Sequence, residues 1–99
     1  MDMIQMEKER IINDYLSSLN ISDLTIENID INLIKKGLKD KLGEEPAIEL
    51  EYERTEILNE INNKIKTEKL KTIIVTYTIE KKYNDIDIPC PVKTYIPVG

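Results

Sequence analysis

Two kinds of side chain in this sequence could do chemistry: a crowd of carboxylates and one thiol. Between Glu44 and Glu60 stand seven acids and a single base, Arg54, a local net charge of −6. As a strand, this stretch would put Glu49, Glu51 and Glu53 on one face; as a helix, it would gather Glu45, Glu49, Glu53, Glu56 and Glu60. Both conformations give a contiguous negative surface. Glu45, Glu49, Glu51, Glu53, Glu56 and Glu60 are therefore the expected contacts for a protein partner with a basic surface, where complementary potential would speed association. The bland alternative is a solvated face that aids solubility. As general acids or bases these carboxylates are poor candidates, because nothing supplies the low-dielectric pocket that would separate the pKa values of a pair.

The thiol is Cys90, set between Pro89 and Pro91. With no histidine and one cysteine, the usual zinc spacings and the histidine-activated nucleophiles are missing, and no internal disulfide can form. Asn84, Asp85 and Asp87 could begin a calcium loop, but the glycine and terminal glutamate of that loop are absent. Gly37, Gly43 and Gly99 are scattered and build no phosphate cradle. The expectation is a protein that is not an enzyme and uses no metal or cofactor.

A net charge of −5 over 99 residues argues against a general binder of nucleic acid or anionic membrane. No apolar run approaches the ~20 residues that span a bilayer, and the run Met1 to Glu7 lacks the basic-then-apolar plan of a secretory signal. A reducing cytoplasm is the expected location. The abundance of Ile, Lys and Asn is that of an AT-rich bacterial or phage genome.

The elements that must position these residues are clearest at the C-terminal end. Thr72–Glu80 is dense in β-branched residues, and Ile86–Ile96 alternates apolar with other residues, so Leu70 to Gly99 reads as a β-hairpin. Asn84-Asp85 suits a two-residue turn with positive φ. Antiparallel partners keep a constant index sum, so that turn pairs Tyr83 with Ile86, Lys81 with Ile88, Ile79 with Cys90, Tyr77 with Val92, Val75 with Thr94 and Ile73 with Ile96. One face is then nearly all apolar, with Cys90 buried in it as an inert structural thiol. The other face pairs Lys82 with Asp87, Glu80 with Pro89, Thr78 with Pro91, Thr76 with Lys93 and Ile74 with Tyr95. Pro89, Pro91 and Pro97 share one parity, which puts their missing donors on the outer side of residues 86 to 98 and predicts a blocked edge strand.

Upstream, Ile4, Ile11, Ile12, Tyr15, Leu16 and Leu19 make an amphipathic helix over Asp2–Leu19, with Asp2 at its start and Asn20 at its end. Ile21–Asp30 is a connector that packs. Asp30 caps a second helix, whose stripe Ile31, Ile34, Leu38 and Leu42 closes at Gly43; Gly37 is a mild weakness within it. Its lysines, Lys35, Lys36, Lys39 and Lys41, complement the helix dipole. Ile48, Leu50 and Tyr52 then predict a strand, and Ile57, Leu58, Ile61 and Ile65 a third helix. One long helix from Pro46 to Thr67 is the competitor. Asn62-Asn63 and the run Lys64 to Lys71 lead, polar and solvated, into the hairpin.

The expected fold is α+β, one domain over 1–99: two N-terminal helices, then a strand and a helix, then a C-terminal antiparallel β-hairpin, the helices packed on one face of a small antiparallel sheet. The expected function is that of a small acidic cytoplasmic accessory or inhibitor protein acting by protein–protein binding, encoded by a phage or mobile element. A structural subunit of a homo-oligomer or phage particle, using Ile74, Tyr95, Pro89 and Pro91, is the alternative. A small-molecule binder lined by Tyr77 and Tyr83 would need a preformed apolar pocket.

Overall fold

A computed structural model describes residues 3–25, 27–58 and 64–98, with 22, 55–58 and 64–68 described through the backbone alone. The proposed helix start at Asp2, the pair Asn62-Asn63, Ile61 and Glu60 lie outside the described residues.

Helix α1 (Met3–Ser18) buries Ile12 and Leu16, and Tyr15 packs half-buried beside them. The chain leaves it through Asn20, whose φ of 54° is left-handed, a conformation asparagine tolerates. A short 3-10 turn, Ile21–Asp23, follows; Leu24 and Ile29 pack on the core, so the connector does pack. Helix α2 (Ile31–Leu42) starts at Asp30, whose side chain accepts from the Leu33 N–H at 3.1 Å. It ends at Gly43 with φ 79°, where the glycine N–H donates to the Lys39 carbonyl at 2.9 Å.

Three antiparallel strands follow in the order β1-β2-β3: β1 (Ala47–Leu58), β2 (Lys64–Tyr83) and β3 (Ile86–Pro97). The β2–β3 register is the one expected, from Ile73 opposite Ile96 to Tyr83 opposite Ile86. The turn residues Asn84 and Asp85 have φ of 50° and 64°, both positive as a type I′ turn demands. Val98 donates its N–H to the Lys71 carbonyl at 2.8 Å, so odd-numbered residues of β2 turn their backbone groups toward β3. Pro89, Pro91 and Pro97 sit opposite even-numbered ones, and their nitrogens face outward from an edge strand.

The expected strand-then-helix is corrected. Among the described residues no helix follows β1; the strand runs on to Leu58 and pairs back with Lys64 and Ile65, so Ile57 lies opposite Ile65. The apparent helical spacing of Ile57, Leu58 and Ile65 arose from reading two facing strands as one element. The alternation in Lys64-Ile-Lys-Thr-Glu-Lys-Leu-Lys71 is a strand pattern and not the expected solvated lead-in. The register shifts between Glu51 and Tyr52, because Thr72 pairs with Glu51 and Leu70 with Tyr52, leaving Lys71 as the extra residue of a bulge. That bulge restores Leu70 to the inner face as Lys71 stays exposed.

The core lies between the two helices and one face of the sheet: Ile12 and Leu16, Ile34 and Leu38, then Leu70, Ile73, Val75, Tyr77, Ile79, Ile96 and Val98. Each fully buried aliphatic here contributes about 1.5–3 kcal/mol. The Tyr77 hydroxyl satisfies itself on the Thr94 hydroxyl at 3.0 Å, the partner that a buried phenol needs. Cys90 is half-buried rather than buried, opposite Ile79 at the margin of the core. Beyond it the apolar face continues without a cover: Tyr83 is 70% exposed and Ile86 64%.

At about 3.3 Å per residue, the 20 residues of β2 extend about 66 Å, which matches the 67 Å long axis of the molecule. β2 has neighbours on both sides over Thr72–Thr76; beyond that stretch, each end of the sheet is a two-stranded ribbon.

Candidate functional site

The acidic stretch is held by β1. Ile48 and Leu50 lie opposite Val75 and Ile73 and pack half-buried on the core, which fixes the face of every neighbour. Glu49 and Glu51 then lie on the face away from the helices, exposed, opposite Ile74 and Thr72. Glu53 continues the row opposite Lys69, and both are exposed. Successive carboxylates of the row are about 6.6 Å apart along the strand.

Charge is sorted by face. Arg54 turns to the other side, donating from Nη2 to the Tyr52 hydroxyl at 2.8 Å, with its guanidinium 4.9 Å from the Tyr52 ring centroid. No cation of β1 itself therefore interrupts the row of three glutamates. Across the strands, Glu49 and Glu51 meet uncharged residues, whereas Lys69 opposite Glu53 offsets part of its field.

The remaining acids of the expected site are not brought together with these. Glu45 stands before the strand beside a shallow groove of about 260 Å³ that it shares with Asn32, Lys35, Lys36 and Lys39 of α2. Glu56 has the opposite parity, with Lys66 as its register partner, and its side chain lies outside the described residues, as does all of Glu60. A helix would have aligned Glu45, Glu49, Glu53, Glu56 and Glu60; a strand leaves Glu49, Glu51 and Glu53.

Glu44 has a separate role that periodicity gave no sign of. β1 begins opposite Thr76, so the β1-facing N–H and C=O of Thr78 lack a strand partner. Glu44 Oε1 accepts the Thr78 N–H at 2.8 Å, and Lys8 Nζ donates to the Thr78 carbonyl at 2.8 Å. The two side chains are 3.6 Å apart and pair with each other. A sequence signal for this is Pro46, which has no N–H to extend the ladder.

The Tyr77 phenol is raised above its ordinary value by burial; its bond to Thr94 opposes the rise and nearby Glu9 adds to it. Asn84 and Asp85 are spent on the turn, and among the described residues no group of three Asp, Glu or Cys side chains is placed to hold a metal ion. Tyr77 and Tyr83 line no common pocket, since the first is in the core and the second is exposed at the hairpin tip. Among the described residues, no helix is long and apolar enough to cross a membrane. In comparisons with known proteins, the chain matches no family model, no curated protein and no solved structure.

Proposed function

We propose that this is an accessory or inhibitor protein that works by binding a protein with a basic surface, and that Glu49, Glu51 and Glu53 of β1 make the contact. The supporting observation is the sorting of charge on that strand: three exposed carboxylates in a row on the helix-free face, two of them facing no cation across the sheet. A field of this kind steers a cationic partner and weakens as salt rises. The test is the triple variant Glu49→Lys, Glu51→Lys, Glu53→Lys, with partner affinity followed across a salt series. The partner retained by the native protein should be lost, about tenfold or more in Kd. Unchanged affinity would refute the assignment.

A second reading, a subunit of a homo-oligomer or particle, draws support from Tyr95, which is 60% exposed on the face that also carries Pro89 and Pro91. Light scattering that reports one copy across a concentration series counts against it.

A further inference from the structure

The outer edge of β1 is open. From Thr72 to Thr78, even-numbered residues of β2 turn their backbone groups toward β1, as Thr78 does, so Ala47, Glu49 and Glu51 exchange hydrogen bonds with Thr76, Ile74 and Thr72. The N–H and C=O groups of Ile48 and Leu50 therefore point away from the sheet, and among the described residues nothing meets them. Elsewhere, the β3 edge is blunted by Pro89, Pro91 and Pro97, and the first vacant rung of β2 is filled by Glu44 and Lys8. β1 carries no proline. Its protection is charge, because antiparallel pairing of two β1 strands about this segment would set glutamate against glutamate.

That protection is selective in sign. We infer that the β1 edge accepts an extended segment of another protein as a fourth strand, and that this segment alternates lysine or arginine with apolar residues. Its cations fall in line with Glu49, Glu51 and Glu53, and its apolar residues fall on the helix-side face beside Ile48 and Leu50, which are left half-buried at the margin of the core. On the helix side, at the head of the strand, Lys35, Lys36 and Lys39 surround Glu45 and disfavour cations there, which helps set the parity of the incoming strand. The inference rests on the assignment of Glu49, Glu51 and Glu53 as the contact and adds the backbone as the second element of recognition.

A short peptide alternating lysine and valine, matched to Ile48–Glu53, tests it in three forms: unmodified, N-methylated at every valine, and N-methylated at every lysine. The methylated forms have equal charge and differ in which peptide edge keeps its N–H groups. In an antiparallel addition, residues opposite one another on the same face exchange the hydrogen bonds, so the valine N–H groups face β1. Valine methylation should weaken binding about tenfold or more, and lysine methylation should leave it nearly unchanged. The reverse asymmetry would also support strand addition, in the parallel sense. Equal binding by both methylated peptides, with loss of both upon charge reversal at Glu49, Glu51 and Glu53, would overturn strand addition and leave the electrostatic assignment standing. No binding by the unmodified peptide, or binding indifferent to charge reversal, would overturn both.

Discussion

Replacing Gly37 by alanine sets helix propensity against packing, and the structure says which wins. Within a helix, alanine is favoured over glycine by about 0.8–1.0 kcal/mol, so on propensity alone Gly37→Ala stabilises α2. The added Cβ, however, falls against the phenol end of Tyr15, overlapping both its hydroxyl and its Cζ. Overlap with a ring carbon cannot be relieved by a small rotation of the hydroxyl; the whole ring must leave. Tyr15 packs half-buried on the core, and the Lys41 ammonium lies 5.8 Å from its ring centroid, so its displacement forfeits contacts on both sides. Overpacking of this kind costs about 2–3 kcal/mol, toward the upper end of what such insertions show. The net expectation is a loss of about 1–2 kcal/mol, or roughly 5–15 °C in Tm for a domain of this size. In a Tyr15→Ala background the obstruction is gone, and the same Gly37→Ala change should stabilise by about 1 kcal/mol. Urea unfolding of the four proteins in this cycle should give a coupling of about 2–3 kcal/mol. If Gly37→Ala stabilises equally in both backgrounds, Tyr15 swings aside freely and the close approach of α1 to α2 is no constraint.

Glu44→Ala should cost about 1–2 kcal/mol, since it strands the Thr78 N–H, and amide exchange at Thr78 should accelerate; Glu44→Gln, still an acceptor, should lose less. Tyr77 makes stability fall at alkaline pH. Its folded pKa is raised above the ordinary 10.0, so the folded state holds the proton more tightly, and this contribution is intact below pH 10 and lost as pH climbs through the folded value. Tyr77→Phe should flatten the alkaline fall in denaturation midpoint, and an identical fall in both proteins would contradict the burial. Asp85→Gly should raise stability by about 0.5–1 kcal/mol in thermal melts, because glycine adopts the positive φ at that position without strain; no gain would argue against the type I′ turn.

What could be read from the sequence was whatever a short-range rule determines. The β2–β3 register followed from one turn and one parity rule, and the caps at Asp30 and Gly43 followed from side-chain chemistry. The ribbon formed by β1 and the first half of β2 did not, because Ile57, Leu58 and Ile65 satisfy two periods at once and only their pairing across the sheet decides between them. The acidic site suffered the same ambiguity: strand parity kept Glu49, Glu51 and Glu53 together and separated Glu56, while Glu45 falls before the strand begins. Gly37 was legible only as a helix weakness, since its value lies in a tyrosine that arrives from the other helix. By sequence Glu44 is one acid among seven; its role follows from the start of β1 at Ala47, which leaves Thr78 without a strand partner.

The length of β2 has a consequence for how the molecule behaves in solution. A compact chain of this size has a radius of gyration of about 13 Å, whereas this one has 17.4 Å. Gel filtration sorts by hydrodynamic size, so a single copy should elute ahead of compact standards of its own mass. Elution volume alone would count that one rod-shaped copy as two.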